Sequence, residues 1–391
     1  MKHLSLAANN VEGQPMFKIL DRAQELEREG KKVFHFELGE PDFDTPKNIV
    51  NAACDALRSG NTHYTNSMGL YKFREAVQKT TQASRNFTPD INQILATPGA
   101  NFIIYLAVSC LVNPGEEVII PDPGFPSYSS VIKFSGAIPV TVPLRESNQF
   151  RLNPDDLRKK ITKNTRLIII NSPSNPTGAV MTPGEINEVA KIAAENNVYL
   201  LSDEVYARLV FENSSSFQSP ASLDQCKERT IIINGFSKSF AMTGWRLGVA
   251  IGPINVIEKM GLVVQTLVSC GSPFIQKAGI EAIEGDQTKI LEMKNAYQER
   301  RDILVDGLND IKGIKCVKPE GAMYVFPNIQ GTGMSSNAFA EFALEKAGIA
   351  LLPGNNFGKA GEGYVRMCYV NSKKKIHDAI AILRNALSEQ R

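Results

Sequence analysis

Cysteine is sparse and scattered in this chain: six residues among 391, at Cys54, Cys110, Cys226, Cys270, Cys316 and Cys368, with no CxxC pair. That spacing argues against a zinc site or a dithiol redox motif and reads as reduced thiols, so no metal is expected. Net charge is scarce too, since 43 Lys plus Arg face 41 Asp plus Glu for a balance of +2, which offers no broad electrostatic footprint for nucleic acid or an anionic membrane. Long apolar runs are missing: the longest, FIIYLAVSCLV at 102–112, is too short to span a bilayer, and the opening MKHLSLAANN lacks a long apolar core. No internal repeat or low-complexity segment occurs, and the basic run 373–375 reads as solvated surface near the start of the last helix. These absences predict a cytoplasmic globular protein.

What the chain does have is alternation. Short β-branched runs, EEVIIP (116–121), TRLIIINSP (165–173), NVYLLSDE (197–204), RTIIING (229–235) and LGVAIG (247–252), are separated by amphipathic segments such as GEINEVAKIAAENN (184–197). Such a pattern reads as βαβ units feeding a mainly parallel sheet, an α/β domain. From about residue 285 it changes to a long charged helix, then GIKCVKPEGAMYVFPNI and a terminal helix from about Lys374. This predicts a large domain over 47–284 and a smaller α+β domain from 1–46 and 285–391.

In an open α/β sheet, ligands bind beyond the carboxyl ends of the strands, so the residues after each run carry the information. After LIII comes Asn171-Ser-Pro-Ser-Asn175-Pro-Thr-Gly178, and after VYLLS come Asp203, Glu204 and Tyr206. After TIII come Asn234, Gly235, Ser237 and Lys238, while Thr97-Pro-Gly99-Ala100-Asn101 precedes the apolar run at 102 and suits a phosphate at a helix N-terminus. A lysine, an aspartate, an asparagine, a tyrosine and a phosphate cradle are the parts required by an aldehyde cofactor with a pyridine ring and a phosphate tail.

The ordered set LGEPDFDTP (38–46), HYTNSMG (63–69), NPGEEVIIPDPGFPSY (113–128), NSPSNPTGAV (171–180), SDEVY (202–206), GFSKSFAMTGWRLG (235–248), PEGAMYVF (319–326) and GYVRMCY (363–369) runs across nearly the whole chain. It resembles the class I, fold-type I pyridoxal-phosphate aminotransferases, closest to the bacterial aspartate-aminotransferase-like branch. The resemblance implies a seven-stranded, mainly parallel sheet flanked by helices, bound pyridoxal 5'-phosphate, and ping-pong transfer of an amino group between an α-amino acid and a 2-oxo acid. It makes Lys238 the Schiff-base lysine and proton shuttle, where a lysine at a strand end would otherwise pair with a surface acid. Arg246, otherwise a salt-bridged structural arginine, becomes the phosphate clamp, helped by Ser237 and the N–H groups of Gly99, Ala100 and Asn101. Asp203, which alone would read as a helix cap, is assigned to the pyridine nitrogen. Tyr206 and Asn175 are assigned to the ring hydroxyl, although Asn175 before proline also suits a plain turn.

The resemblance further places Phe125 on the cofactor ring, although an aromatic there could be ordinary core. Arg366, costly if unpaired on a strand, is assigned to the substrate α-carboxylate. Gly39, otherwise a turn glycine, falls in the segment that closes over the substrate. Tyr64 is implied to reach the phosphate of a neighbouring subunit, so a homodimer with shared sites is expected. The same fold also supports pyridoxal-phosphate lyases and decarboxylases. A non-catalytic regulatory module would need a basic DNA-binding domain ahead of the match, which is not expected here. Where a dicarboxylate-preferring enzyme would place a cation, the estimated positions hold Glu12 and Asn101, which predicts a neutral or broad donor range with glutamate and 2-oxoglutarate as a recycling pair.

Overall fold

The computed structural model describes residues 3–11, 13, 16–211 and 217–390. Strand β1 (Phe34–His35) follows the helix Met16–Arg28 and joins a partner much later in the chain. The next strands are β2 (Ile94–Thr97), β3 (Glu117–Asp122), β4 (Ile138–Pro143), β5 (Thr165–Asn171), β6 (Tyr199–Asp203), β7 (Thr230–Gly235) and β8 (Gly248–Ile251). They form one seven-stranded sheet in the order β2-β8-β7-β6-β5-β3-β4. Neighbours from β4 to β7 run parallel, and β8 alone is reversed, pairing antiparallel with both β7 and β2. The mainly parallel seven-stranded sheet is present as expected. Two of its strands carry little sequence signal: β2 is only ILAT, and β4, an edge strand, holds two prolines, which edge strands tolerate because their outer N–H groups make no ladder bonds.

Helices cover both faces, which is why the parallel strands are apolar without alternation. Along β5, Leu167 and Ile169 face the helices Ala100–Leu111 and Ile254–Val268, whereas Ile168 and Ile170 pack with Ile186, Val189 and Ile192 of the helix Pro183–Glu195. That last helix starts where TPGE dictates: the Thr182 hydroxyl accepts from the Glu185 N–H at 3.2 Å, the Glu185 carboxylate accepts from the Thr182 N–H at 2.8 Å, and Pro183 fills a position that needs no donor.

A second apolar core gathers Phe34 and Phe36 with residues from the C-terminal part of the chain, among them Tyr297, Leu304, Phe339, Met367 and Ile376. Its strands are β9 (Tyr324–Val325), β10 (Ile349–Ala350), β11 (Leu352–Pro353) and β12 (Val365–Cys368). β1 pairs in parallel with β10, and β12 lies between β11 and β9 in an antiparallel sheet. The helices Thr288–Asn309, Ser336–Ala347 and Lys373–Glu389 pack on this core, two of them close to where the charged pattern and the terminal helix were expected. Among the described residues no helix is long and apolar enough to cross a membrane, and no cluster of His, Cys, Asp or Glu could hold a metal ion.

Candidate active site

Register brings the polar strand ends level. Asn171, the last residue of β5, pairs with Asp203, the last of β6, and the Asn171 amide donates to the Asp203 carbonyl at 3.1 Å. Beyond them, β7 runs into the short helix Phe236–Ser239, which carries Ser237 and Lys238. A cavity of about 240 Å³ opens at these ends.

Lys238 lines this cavity, and its Nζ donates to the Gly39 carbonyl at 2.5 Å. Burial lowers its pKa to about 8; the positive charges of Arg366 and Arg246 push the same way, and Cys368 and Glu40 oppose them. Opposite in sign is Asp203, only 5% exposed, whose pKa burial raises to about 6 even though the Tyr128 hydroxyl and the Val205 N–H hold the carboxylate. Burial thus works against the Asp203 charge, and the two hydrogen bonds work for it.

The residues expected to cradle a phosphate lie together. Gly99 caps the helix Ala100–Leu111 with φ +86, and a β-carbon there would collide with the Arg246 guanidinium. Glycine therefore lets the helix N-terminus and Arg246 approach each other, a conformation that other residues rarely adopt. Ala100, Asn101, Ser237 and Arg246 all line the cavity, and Arg246 Nη1 donates to the Thr243 carbonyl at 2.8 Å.

At the other end, Arg366 on β12 is 3% exposed and pairs with no carboxylate among the described residues. Its guanidinium lies between the rings of Tyr324 and Phe357, 4.6 and 4.9 Å from their centroids, and donates to the Asn175 side chain at 3.2 Å and to the Glu37 carbonyl. Its Nε has no hydrogen-bond partner. A buried, incompletely satisfied guanidinium facing a cavity is built for an anion.

Phe125, Asn175, Tyr206 and Gly39 also line the cavity. Two sequence-predicted residues do not: Gly99 supports the cradle from behind, and Tyr64 is 86% exposed on the surface. Asn101 lines the cavity, while Glu12 lies outside the described residues. Residues not singled out from the sequence also contribute. The Tyr324 hydroxyl shares a 2.7 Å hydrogen bond with that of Tyr206, and the Tyr128 hydroxyl donates to Asp203 at 2.5 Å. Both tyrosines sit inside the quoted motifs PEGAMYVF and PGFPSY, so position within a motif was the available signal. Met16 and Glu40 line the cavity as well; Glu40 sits inside the quoted motif LGEPDFDTP, and nothing local marked Met16.

This sheet, with its chemistry gathered at the parallel strand ends, is that of the fold-type I transferases. Residues 31–383 match the family Aminotransferase class I and II, and the chain belongs to that family. It is 43% identical over 376 residues to an aspartate aminotransferase of Pyrococcus horikoshii, an alignment covering 96% of this chain and 94% of that one. With aromatic-amino-acid aminotransferase 2 of Thermococcus litoralis it shares 41% identity over 377 residues, covering 96% and 95% of the two chains. The solved aspartate aminotransferase of Thermus thermophilus with maleate superposes with a TM-score of 0.94 at 32% identity, covering 99% of this chain and 100% of that one. The protein is an aminotransferase, of a family that depends on pyridoxal phosphate.

Proposed function

We propose that this enzyme moves an amino group between an α-amino acid and a 2-oxo acid in two successive half-reactions, using pyridoxal phosphate bound in the cavity described above. The observation that carries the reading is the convergence of a buried amine with lowered proton affinity, a buried carboxylate and two arginines on one cavity. The donor set fits the cofactor: the helix N-terminus with Arg246 suits a phosphate dianion, and Asp203 suits a protonated ring nitrogen. Bound pyridoxal phosphate supplies an aldehyde that condenses with amines and a cationic ring that accepts the electron pair released at the substrate Cα.

The protein's own groups do the rest. Ser237, Arg246 and the N–H groups of Gly99, Ala100 and Asn101 hold the phosphate. Phe125 packs against the ring, Tyr206 and Asn175 hydrogen-bond its hydroxyl, and Asp203 holds its nitrogen protonated. Arg366 takes the α-carboxylate, which the planar fork of its guanidinium N–H groups suits. Lys238 would be the residue that holds the cofactor's aldehyde carbon, and its Nζ would carry the Cα proton; a pKa of about 8 suits a base working near neutrality. Gly39 belongs to a segment that closes over the substrate from the smaller of two domains, 1–46 with 285–391, onto the larger, 47–284. Tyr64, exposed here, serves the phosphate of a second copy, so the working unit is a homodimer. The described cavity lining offers no cation besides Lys238, Arg246 and Arg366, which supports a neutral or broad range of donor side chains.

Lys238→Ala tests the assignment. The variant is expected to lose the visible absorption of the lysine-linked cofactor and all conversion of amino acid to 2-oxo acid; turnover near the wild-type rate would overturn the reading.

A further inference from the structure

Asp203 depends on a contact that the roles above leave unused. Tyr128, on the helix Pro126–Phe134, is 1% exposed, and its hydroxyl donates to Asp203 Oδ2 at 2.5 Å. Its ring stands edge-on to Phe125, with centroids 5.5 Å apart and planes at 84°. One side chain thus touches both the carboxylate and the aromatic ring proposed for the cofactor. The phenol keeps its proton, because burial and then the Asp203 charge push its pKa well above the ordinary tyrosine value.

The remaining surroundings of Asp203 do little to favour its charge. Among the described residues, its Oδ1 accepts a single long 3.3 Å bond, from the Val205 N–H. Glu204, next along the chain, is a buried anion, although Arg85 pairs with it at 2.7 Å and the Ser202 and Ser219 hydroxyls donate to it. Tyr206 is neutral and already bonded to Tyr324, and the influences that act on the Asp203 carboxyl do not include the charges of Lys238, Arg246 or Arg366. Tyr128 is therefore the strongest donor on a carboxylate that burial works to neutralise.

We propose that Tyr128 is a positioning residue for the reaction, fixing the rotation of the Asp203 carboxylate and holding it ionised towards the cofactor ring. The proposal rests on the reading of Asp203 as the partner of the ring nitrogen. A hydrogen bond to a charged group carries enough free energy to move a titration by about one to two pH units. Tyr128→Phe keeps the packing on Phe125 and removes the hydroxyl alone.

The test uses the holoenzyme, with the pH profile of kcat and the dissociation constant for added pyridoxal phosphate as independent readouts. Tyr128→Phe is expected to move the acid limb of the profile up by about one pH unit and to weaken cofactor binding by about tenfold. Site-specific 3-fluorotyrosine at 128, a stronger donor of nearly the same shape, is expected to move the limb the other way, a shift that a packing role would not produce. An unmoved limb and unchanged cofactor affinity in both variants overturn the proposal. Asp203→Asn separates the two levels: if it leaves cofactor affinity and spectrum unchanged, the reading of Asp203 itself fails, and if it abolishes both while the Tyr128 variants change nothing, only the role of Tyr128 fails.

Discussion

The Lys238 ammonium and the Gly39 carbonyl, 199 residues apart in sequence, meet in a 2.5 Å hydrogen bond. That bond ties a segment leading from β1, whose partner strand β10 lies in the second apolar core, to the short helix that follows β7 of the central sheet. The proposed base and the proposed closing segment are thus in direct contact, so substitutions in the segment should register at the lysine.

Gly39 has no room for a side chain, because a β-carbon would collide with the Tyr324 hydroxyl and its ring. Gly39→Ala is expected to lower kcat/KM by about tenfold to a hundredfold, the range given by an overpacking cost of about 1–3 kcal/mol. Adding Tyr324→Phe removes the nearest obstructing atom and should recover part of the loss. Steady-state kinetics on the single and double variants check this, and a fully active Gly39→Ala enzyme contradicts it.

Stability should carry a signature of His35. Its ring bonds Glu37 at 2.8 Å and Glu27 at 3.2 Å, and the Glu37 contact first, then Glu27, raise its pKa from 6.5 to about 9 against the effect of burial. A raised folded-state pKa stabilises fully below the unfolded value and is lost as pH climbs through the folded one, so the contribution is whole below about 6.5 and gone above about 9. After discounting for the access of water to the ring, we expect about 1 kcal/mol. Melting temperature measured from pH 6 to 10 should fall more steeply for the wild type than for His35→Gln, and parallel curves would refute the linkage.

If Tyr64 completes a neighbour's site, two defective proteins should repair each other. Mixing inactive Lys238→Ala with Tyr64→Ala subunits under exchange should restore activity through hybrid dimers holding one intact site. An active monomer in sedimentation would contradict the shared site.

Donor choice follows from the cavity lining. Twenty amino acids, each offered with 2-oxoglutarate and with pyruvate, should show neutral donors at least comparable to aspartate, since a buried distal carboxylate would find no further cation among the described lining residues. A kcat/KM for aspartate more than about a hundredfold above every neutral donor, roughly 2.7 kcal/mol, would overturn this.

Local sequence encodes the parallel strands and the polar residues that follow them. β-branched runs bounded by turns encode strands locally, and the residue after each run is fixed by chain order, so Asn171, Asp203 and Lys238 were all legible at the carboxyl ends of the central strands. The short strand β2 and the proline-bearing edge strand β4 lacked that local signal. Only the tertiary structure decided which side chains meet. The level register of Asn171 with Asp203, the Tyr128 hydroxyl on that aspartate, the Arg366 guanidinium between Tyr324 and Phe357, and the reach of Gly39 to Lys238 join elements tens to hundreds of residues apart. The altered proton affinities of Lys238 and Asp203 arise chiefly from burial, and burial is a property of the packed chain that no local pattern contains.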